Sequence, residues 1–287
     1  MIRADLVYPG PAWDAQFERM APYGLNDVYF DHRYVSLYTS PSRTAEAFVY
    51  ETDDALFFLP YLIDEIQTDI ADLYDFETAY GYSGPLSTSR DPKFLDNAWK
   101  AFDTMCTERG VVAGFIRFHP HMENHRFAVP RNMTIIPDCE TVYIDLNQDE
   151  DAVWQGYASD NRNRIRKSMK MGVVVEIHRE AAALTTFSRF YLKRMEELSA
   201  DESYRFGQDY FRGIGDLGSD RFRVYLAKHG NEIIGGALIL LSGRYAHFHL
   251  SASPVEFREF SANNRLRHDV IVDLLGQGLE ILNFGGG

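Results

Sequence analysis

Between residues 221 and 251 three apolar runs are separated by two glycine-centred tripeptides, a pattern that few arrangements other than an antiparallel meander satisfy. Arg221 to Lys228, Glu232 to Leu241 and Tyr245 to Ser251 are each long enough for a strand. His229-Gly230-Asn231 and Ser242-Gly243-Arg244 supply the turns. Helical patterns flank the meander at Ala181 to Leu198 and Asn263 to Leu275, and Leu279 to Phe284 reads as a last strand. Upstream, Asp149 to Met171 starts on an acidic cluster and stops at Gly172, which predicts one helix, followed by a strand from Val173 to Ile177. The first half is mixed as well. Ala47 to Glu51 and Ala55 to Tyr61 read as strands joined by a hairpin turn at Asp53-Asp54. Tyr80 to Pro85 is a loop, Asp91 to Glu108 an amphipathic helix closed by Gly110, and Val111 to Arg117 a strand. Two α/β halves follow, with a boundary near residues 144–150.

Charge limits the partners. The 287 residues carry a formal net charge of −13, which argues against general nucleic-acid binding and leaves room only for a locally basic site. No stretch approaches eighteen consecutive apolar residues, so no membrane-spanning helix is expected. The start, Met1-Ile2-Arg3-Ala4-Asp5, lacks the apolar core of a secretory signal. Cys106 and Cys139, the two cysteines, share no short motif and read as small hydrophobes in a reducing compartment. A cytoplasmic protein is expected.

The basic site is easily found. Asn161 to Lys170 holds Arg162, Arg164, Arg166, Lys167 and Lys170, with no acid between Asp160 and Glu176. On a helix Arg162, Arg166 and Lys170 align at i, i+4 and i+8, while Trp154, Tyr157, Ile165 and Met169 supply the buried side. Like charges so placed repel, and arginine forks suit phosphate. The plainer reading is a solvated face whose last-turn cations complement the helix dipole. A second group, His119, His121 and His125 after Arg117-Phe118, invites a metal, but Pro120 denies it a helical register and no cysteine is near. Structural or substrate-contacting histidines are expected there, with no metal. In the third group, alternation along a strand would put His247, His249 and Ser251 on one face and Phe248 and Leu250 on the other, offering a general base. The wet face of an edge strand is the competing reading. Gly213-Ile214-Gly215-Asp216-Leu217-Gly218 fits a dinucleotide fingerprint but has the wrong flanking elements, and reads as a loop.

With these segments in view, the chain resembles the Fem-type branch of the GNAT superfamily, from about Tyr29 to Gly287. Phe58-Leu59-Pro60-Tyr61 and Tyr80-Gly81-Tyr82-Ser83-Gly84-Pro85-Leu86 resemble the family's Pro-rich strand and Gly-Tyr-Gly-Gly-Pro loop, with Ser83 for one glycine. Arg162-Asn163-Arg164-Ile165-Arg166-Lys167, Lys170 and Gly172-Val173 match R-N-x-I-R-K-x-x-K-x-G-V. Tyr191 to Met195, Tyr204-Arg205-Phe206, Tyr210-Phe211, Gly235-Gly236, His247 to Ser251 and Asn283-Phe284-Gly285-Gly286-Gly287 complete the set in order.

The resemblance implies two GNAT-like domains, residues 1–147 and 148–287, each a mixed, mostly antiparallel sheet flanked by helices, with the acceptor site in the cleft between them. The second domain is expected to lack a closing segment, since relatives continue past the position of Gly287. The implied reaction moves an aminoacyl group from aminoacyl-tRNA to the amine of a peptide or nucleotide-linked acceptor, with no cofactor. Arg162, Arg164, Arg166, Lys167, Lys170, Arg205, Tyr204, Tyr82 and Ser83 would bind phosphate or substrate, and His247 or His249 would accept the proton. Acyl-CoA is the alternative donor and a non-catalytic binding module the second alternative. Against CoA, Ser253 to Phe260 stands where the family's glycine-containing pyrophosphate loop would be, and it has no glycine and two acids.

Overall fold

The structure, a computed structural model, describes residues 2–67, 72–129 and 133–286. It divides into two compact units, Met1–Asp138 and Cys139–Gly287. Gly287 of the terminal glycine run lies outside the described residues.

The first unit contains β1 (Arg3–Val7), α1 (Pro11–Glu18), α2 (His32–Val35), β2 (Arg43–Glu51), β3 (Leu56–Ile66), β4 (Leu73–Glu77), β5 (Leu86–Ser87), α3 (Pro92–Glu108) and β6 (Val111–Phe115). The sheet runs β1-β2-β3-β4-β6, with β5 beside β3; β4 and β6 are parallel and the other pairs antiparallel. Pro60 sits inside β3, where a missing N–H would normally break a ladder. On one side, however, β5 pairs only with Phe57 and Phe58, and β4 begins only at Leu62. Pro60 occupies the interval between them. α3 is capped by the Asp91 carboxylate, which accepts from the amides of Lys93 and Phe94. It lays Phe94, Leu95, Ala98, Trp99 and Phe102 on the sheet. Trp99 meets Phe57 edge-on at 5.4 Å, Phe102 meets Phe48 at 5.2 Å, and the Trp99 indole donates to the Phe127 carbonyl at 2.8 Å. Each aromatic buried this way contributes roughly 1.5–3 kcal/mol. Arg109 at the end of α3 bonds the buried Glu46 of β2 at 2.6 Å, which fixes the helix against the sheet.

The second unit contains β7 (Thr141–Asp145), α4 (Glu150–Gly156), α5 (Ser159–Lys170), β8 (Val173–His178), α6 (Ala181–Glu197), α7 (Gln208–Asp216), β9 (Phe222–His229), β10 (Glu232–Ser242), β11 (Tyr245–Ala252), α8 (Ala262–Leu274) and β12 (Ile281–Gly286). Its sheet runs β7-β12-β11-β10-β9-β8. The expected meander is β9-β10-β11, and α8 carries the chain over to β12, which pairs with β11 in parallel. A Cβ on Gly235 would touch Ala262 of α8, whereas one on Gly236 would press Phe187 of α6 at 3.0 Å. Neighbouring strand residues point to opposite faces, so α8 covers one face of this sheet and α6 the other.

Three expectations change here. The helix predicted over Asp149 to Met171 is two helices, because the chain turns extended at Tyr157 (ψ 142°) and Ala158 (ψ 147°). Gly213 to Asp216 close α7 and are not loop. Met169 is 43% exposed, and the buried face of α5 is Ile165 and Ser168 instead.

Candidate functional site

The ladder between β11 and β12 consists of Tyr245–Ile281, Ala246–Leu282 and His247–Asn283, and stops there. β11 continues to Ala252 and β12 to Gly286, so the two strands part after His247 and Asn283. Asn283 is buried, and its side-chain oxygen accepts from the Gly285 amide at 3.0 Å, shaping β12 just past the parting. On its other side β11 carries a β-bulge, since Leu238 opposes Leu250 while Ile239 opposes Phe248, leaving His249 as the additional residue.

The bulge overturns the predicted alternation. Leu250 pairs with Leu238 and so shares the α6 face with His247, whereas Ser251 pairs with Ala237 on the α8 face and is exposed. His249 reaches the α6 face and shares a 2.5 Å hydrogen bond with the Tyr210 hydroxyl of α7. The two rings lie nearly parallel (17°), and Phe206 stacks on Tyr210 at 4.3 Å. Burial, with His247 as the lesser cause, pushes the His249 pKa down to about 3. His249 is therefore neutral near pH 7 but too weakly basic to be an effective proton acceptor there. Its geometry suits orienting Tyr210, a residue to which the sequence reading gave no role. The one available sign was its place in the Tyr210-Phe211 motif. Tyr204 and Arg205 lie in the connection between α6 and α7. The Tyr204 carbonyl accepts from Tyr191 at 2.9 Å, and Arg205 Nε donates to the Ala200 carbonyl at 3.0 Å.

The cations of α5 belong to the other face of the sheet, where Asn161 meets Asn264 of α8 at 2.8 Å and Tyr157 meets His268 at 3.3 Å. Their side chains make separate contacts. Arg162 donates to the carbonyls of Trp154, Gln155 and Tyr157, closing the open end of α4. Arg166 lies over the Trp154 ring at 5.1 Å. Arg164 pairs with Asp160 at 2.8 Å. Lys167 and Lys170 are exposed in the last turn. Arg164 also lines a cavity of about 340 Å³ with Ser253, Pro254, Phe257, Arg258 and the first residues of α8. Arg258, which the sequence reading passed over, is thus a second cation in that cavity.

In the first unit the loop over Tyr80 to Pro85 is built for close approach. Gly81 (φ 100°) passes so near Tyr29 that a Cβ would lie 2.5 Å from its ring. Ser83 is buried; its amide donates to the Arg117 carbonyl at 2.8 Å and its carbonyl accepts from Asn124 at 2.6 Å. Tyr82 packs edge-on against Tyr29 at 6.0 Å. His119 Nδ1 accepts from the amides of His121 and Met122, and Nε2 stands 3.6 Å from the buried Asp27 carboxylate. His119 thus helps to form the turn through its Nδ1 contacts.

Residues 157–287 match the family described as Acetyltransferase (GNAT) domain. Among solved structures the chain is similar to FemX, with a TM-score of 0.71 and 12% identity, covering 99% of this chain and 89% of that one. It is also similar to a conserved protein of unknown function from Bacteroides thetaiotaomicron VPI-5482, with a TM-score of 0.55, 7% identity and coverage of 100% and 90%. A tandem GNAT protein from the clavulanic acid biosynthesis pathway gives a TM-score of 0.51 at 12% identity, covering 100% and 90%. No curated protein matches the sequence. The chain therefore shares the fold of FemX and of the tandem GNAT protein, and within its second unit residues 157–287 match the acetyltransferase (GNAT) family.

Proposed function

We propose that this acyltransferase takes an aminoacyl group from aminoacyl-tRNA and passes it to the amine of a peptide or nucleotide-linked acceptor. The observation that carries the choice of donor is the segment between β11 and α8. A CoA pyrophosphate is commonly held by free backbone amides ahead of a helix. Here Val255–Phe260 is wound into 3-10 turns, the Phe257 and Ser261 amides bond the Pro254 and Arg258 carbonyls, and no glycine is present. What the segment offers instead is the side chain of Arg258, facing the cavity that Arg164 also lines. With Lys167 and Lys170 nearby on α5, side-chain cations rather than a backbone cradle would meet the donor's phosphates.

An activated ester needs little beyond orientation of the amine and removal of its proton. In this reading the wedge between β11 and β12 receives the acyl end, His247 accepts the proton, and Tyr210, held by His249, donates a hydrogen bond at the reacting centre. The acetyltransferase family match favours acyl-CoA as the alternative donor.

The test uses the purified protein, a radiolabelled charged tRNA pool and a nucleotide-linked peptide amine, with acetyl-CoA in parallel. Transfer from tRNA is expected, and a triple variant Arg164→Ala/Lys167→Ala/Lys170→Ala should raise the donor KM by about tenfold or more. Acetyl transfer with no aminoacyl transfer would replace this reading by the CoA-dependent one.

A further inference from the structure

Where β11 and β12 part, the next residue on each strand is a phenylalanine. Phe248 follows His247 and Phe284 follows Asn283, and their rings meet at 5.2 Å on the α8 side of the sheet. Over both stands Arg267, from the second turn of α8, with its guanidinium carbon 5.9 Å from the Phe248 ring centre and 6.0 Å from that of Phe284. The residue is exposed, and among the described residues no carboxylate pairs with it. Its neighbours Arg265 and Asp269 pair with each other instead, at 2.9 Å.

A guanidinium lying on aromatic rings is restrained in orientation, while its N–H groups, which lie in its plane, stay free to donate. Two rings under one cation narrow the orientations of the fork, which lessens the side-chain entropy lost on binding. Asn263 lies one turn before Arg267 and lines the cavity that contains Arg164 and Arg258. Phosphate-binding side chains would then lead from that cavity along α8 to the parting of the strands.

We propose that Arg267, poised over Phe248 and Phe284, is a donor-positioning residue that binds a phosphate group of the acyl donor and sets how far its acyl end enters the wedge. The proposal rests on the acyl-transfer reading above and adds a residue to it. Phosphate is the shared chemistry of an RNA 3′ end and of CoA, and the experiment separates the two sources.

Binding of a short RNA hairpin ending in CCA and of coenzyme A is measured by calorimetry for the wild type, Arg267→Lys, Arg267→Met and Arg267→Ala. Initial rates and melting temperature are measured alongside. For the donor source that the wild type uses, the Met and Ala variants are expected to bind about tenfold more weakly and to raise the donor KM equally. Acceptor KM should be unchanged, and Lys should recover part of the loss. Melting temperature should stay within a few degrees for Met, whose stem still covers the rings. Undiminished donor binding by both Met and Ala, with or without a lowered melting temperature, would overturn this proposal and leave the acyl-transfer reading standing. Binding of neither probe by the wild type would overturn both.

Discussion

At His249, burial and the neighbouring His247 depress the imidazole pKa to about 3, while the unfolded chain takes up a proton below about 6.5. The native state thus binds fewer protons than the unfolded one across that window, and stability falls as the pH drops through it. Between pH 7 and pH 5 the loss is about 2 kcal/mol and depends only on His249 staying neutral when folded. Urea unfolding at the two pH values should show that part of the loss disappear in His249→Gln. An equal loss in both proteins would mean that His249 is protonated in the folded state at pH 5. The same residue marks the limit of what a linear pattern reveals. The identities of His247 and His249 were legible, but the faces of Leu250 and Ser251 were not, because one bulged residue inverts every assignment beyond it.

The elbow between α4 and α5 explains why a cluster so conspicuous in the sequence is divided in the structure. α4 ends at Gly156 with open carbonyls, and Arg162 from the second helix donates to three of them. Periodicity alone reads straight through this break, because the apolar spacing continues across it and Gly156 was the one local sign. Replacing Arg162 by Met should cost about 1–3 kcal/mol in chemical unfolding and leave donor KM within twofold of wild type. A tenfold rise in donor KM at unchanged stability would instead return Arg162 to the ligand. Elsewhere the elements most visible in the sequence were the helices Pro92–Glu108 and Ala181–Glu197 and the meander Phe222–Ala252, whose apolar repeats are long. The strands Arg3–Val7, Leu73–Glu77 and Thr141–Asp145 were missed. Each is five residues long, too short for alternation to stand out, and their places are fixed by pairing with distant segments.

For the molecule as a whole, the net charge of −13 disfavours a polyanion, so its binding rests on local cations. A ligand that engages only about three phosphates should show a salt slope of about −2 to −3. Binding of the CCA-ended hairpin should then weaken roughly 15- to 60-fold between 50 and 200 mM salt. A flat dependence would remove the phosphate contacts from the account. The parting of β11 from β12 has an evolutionary consequence. Main-chain amides and carbonyls are the same whatever side chains stand above them, so a substrate docked along Phe248–Ala252 as an added strand would leave open to substitution those positions with no further role, such as the exposed Ser251. Selection would act on the width of the wedge and on the residues at its mouth. A lineage could change which acyl group it carries while its architecture stayed fixed, even as sequence identity drifted toward the 7–12% that separates this chain from its structural neighbours.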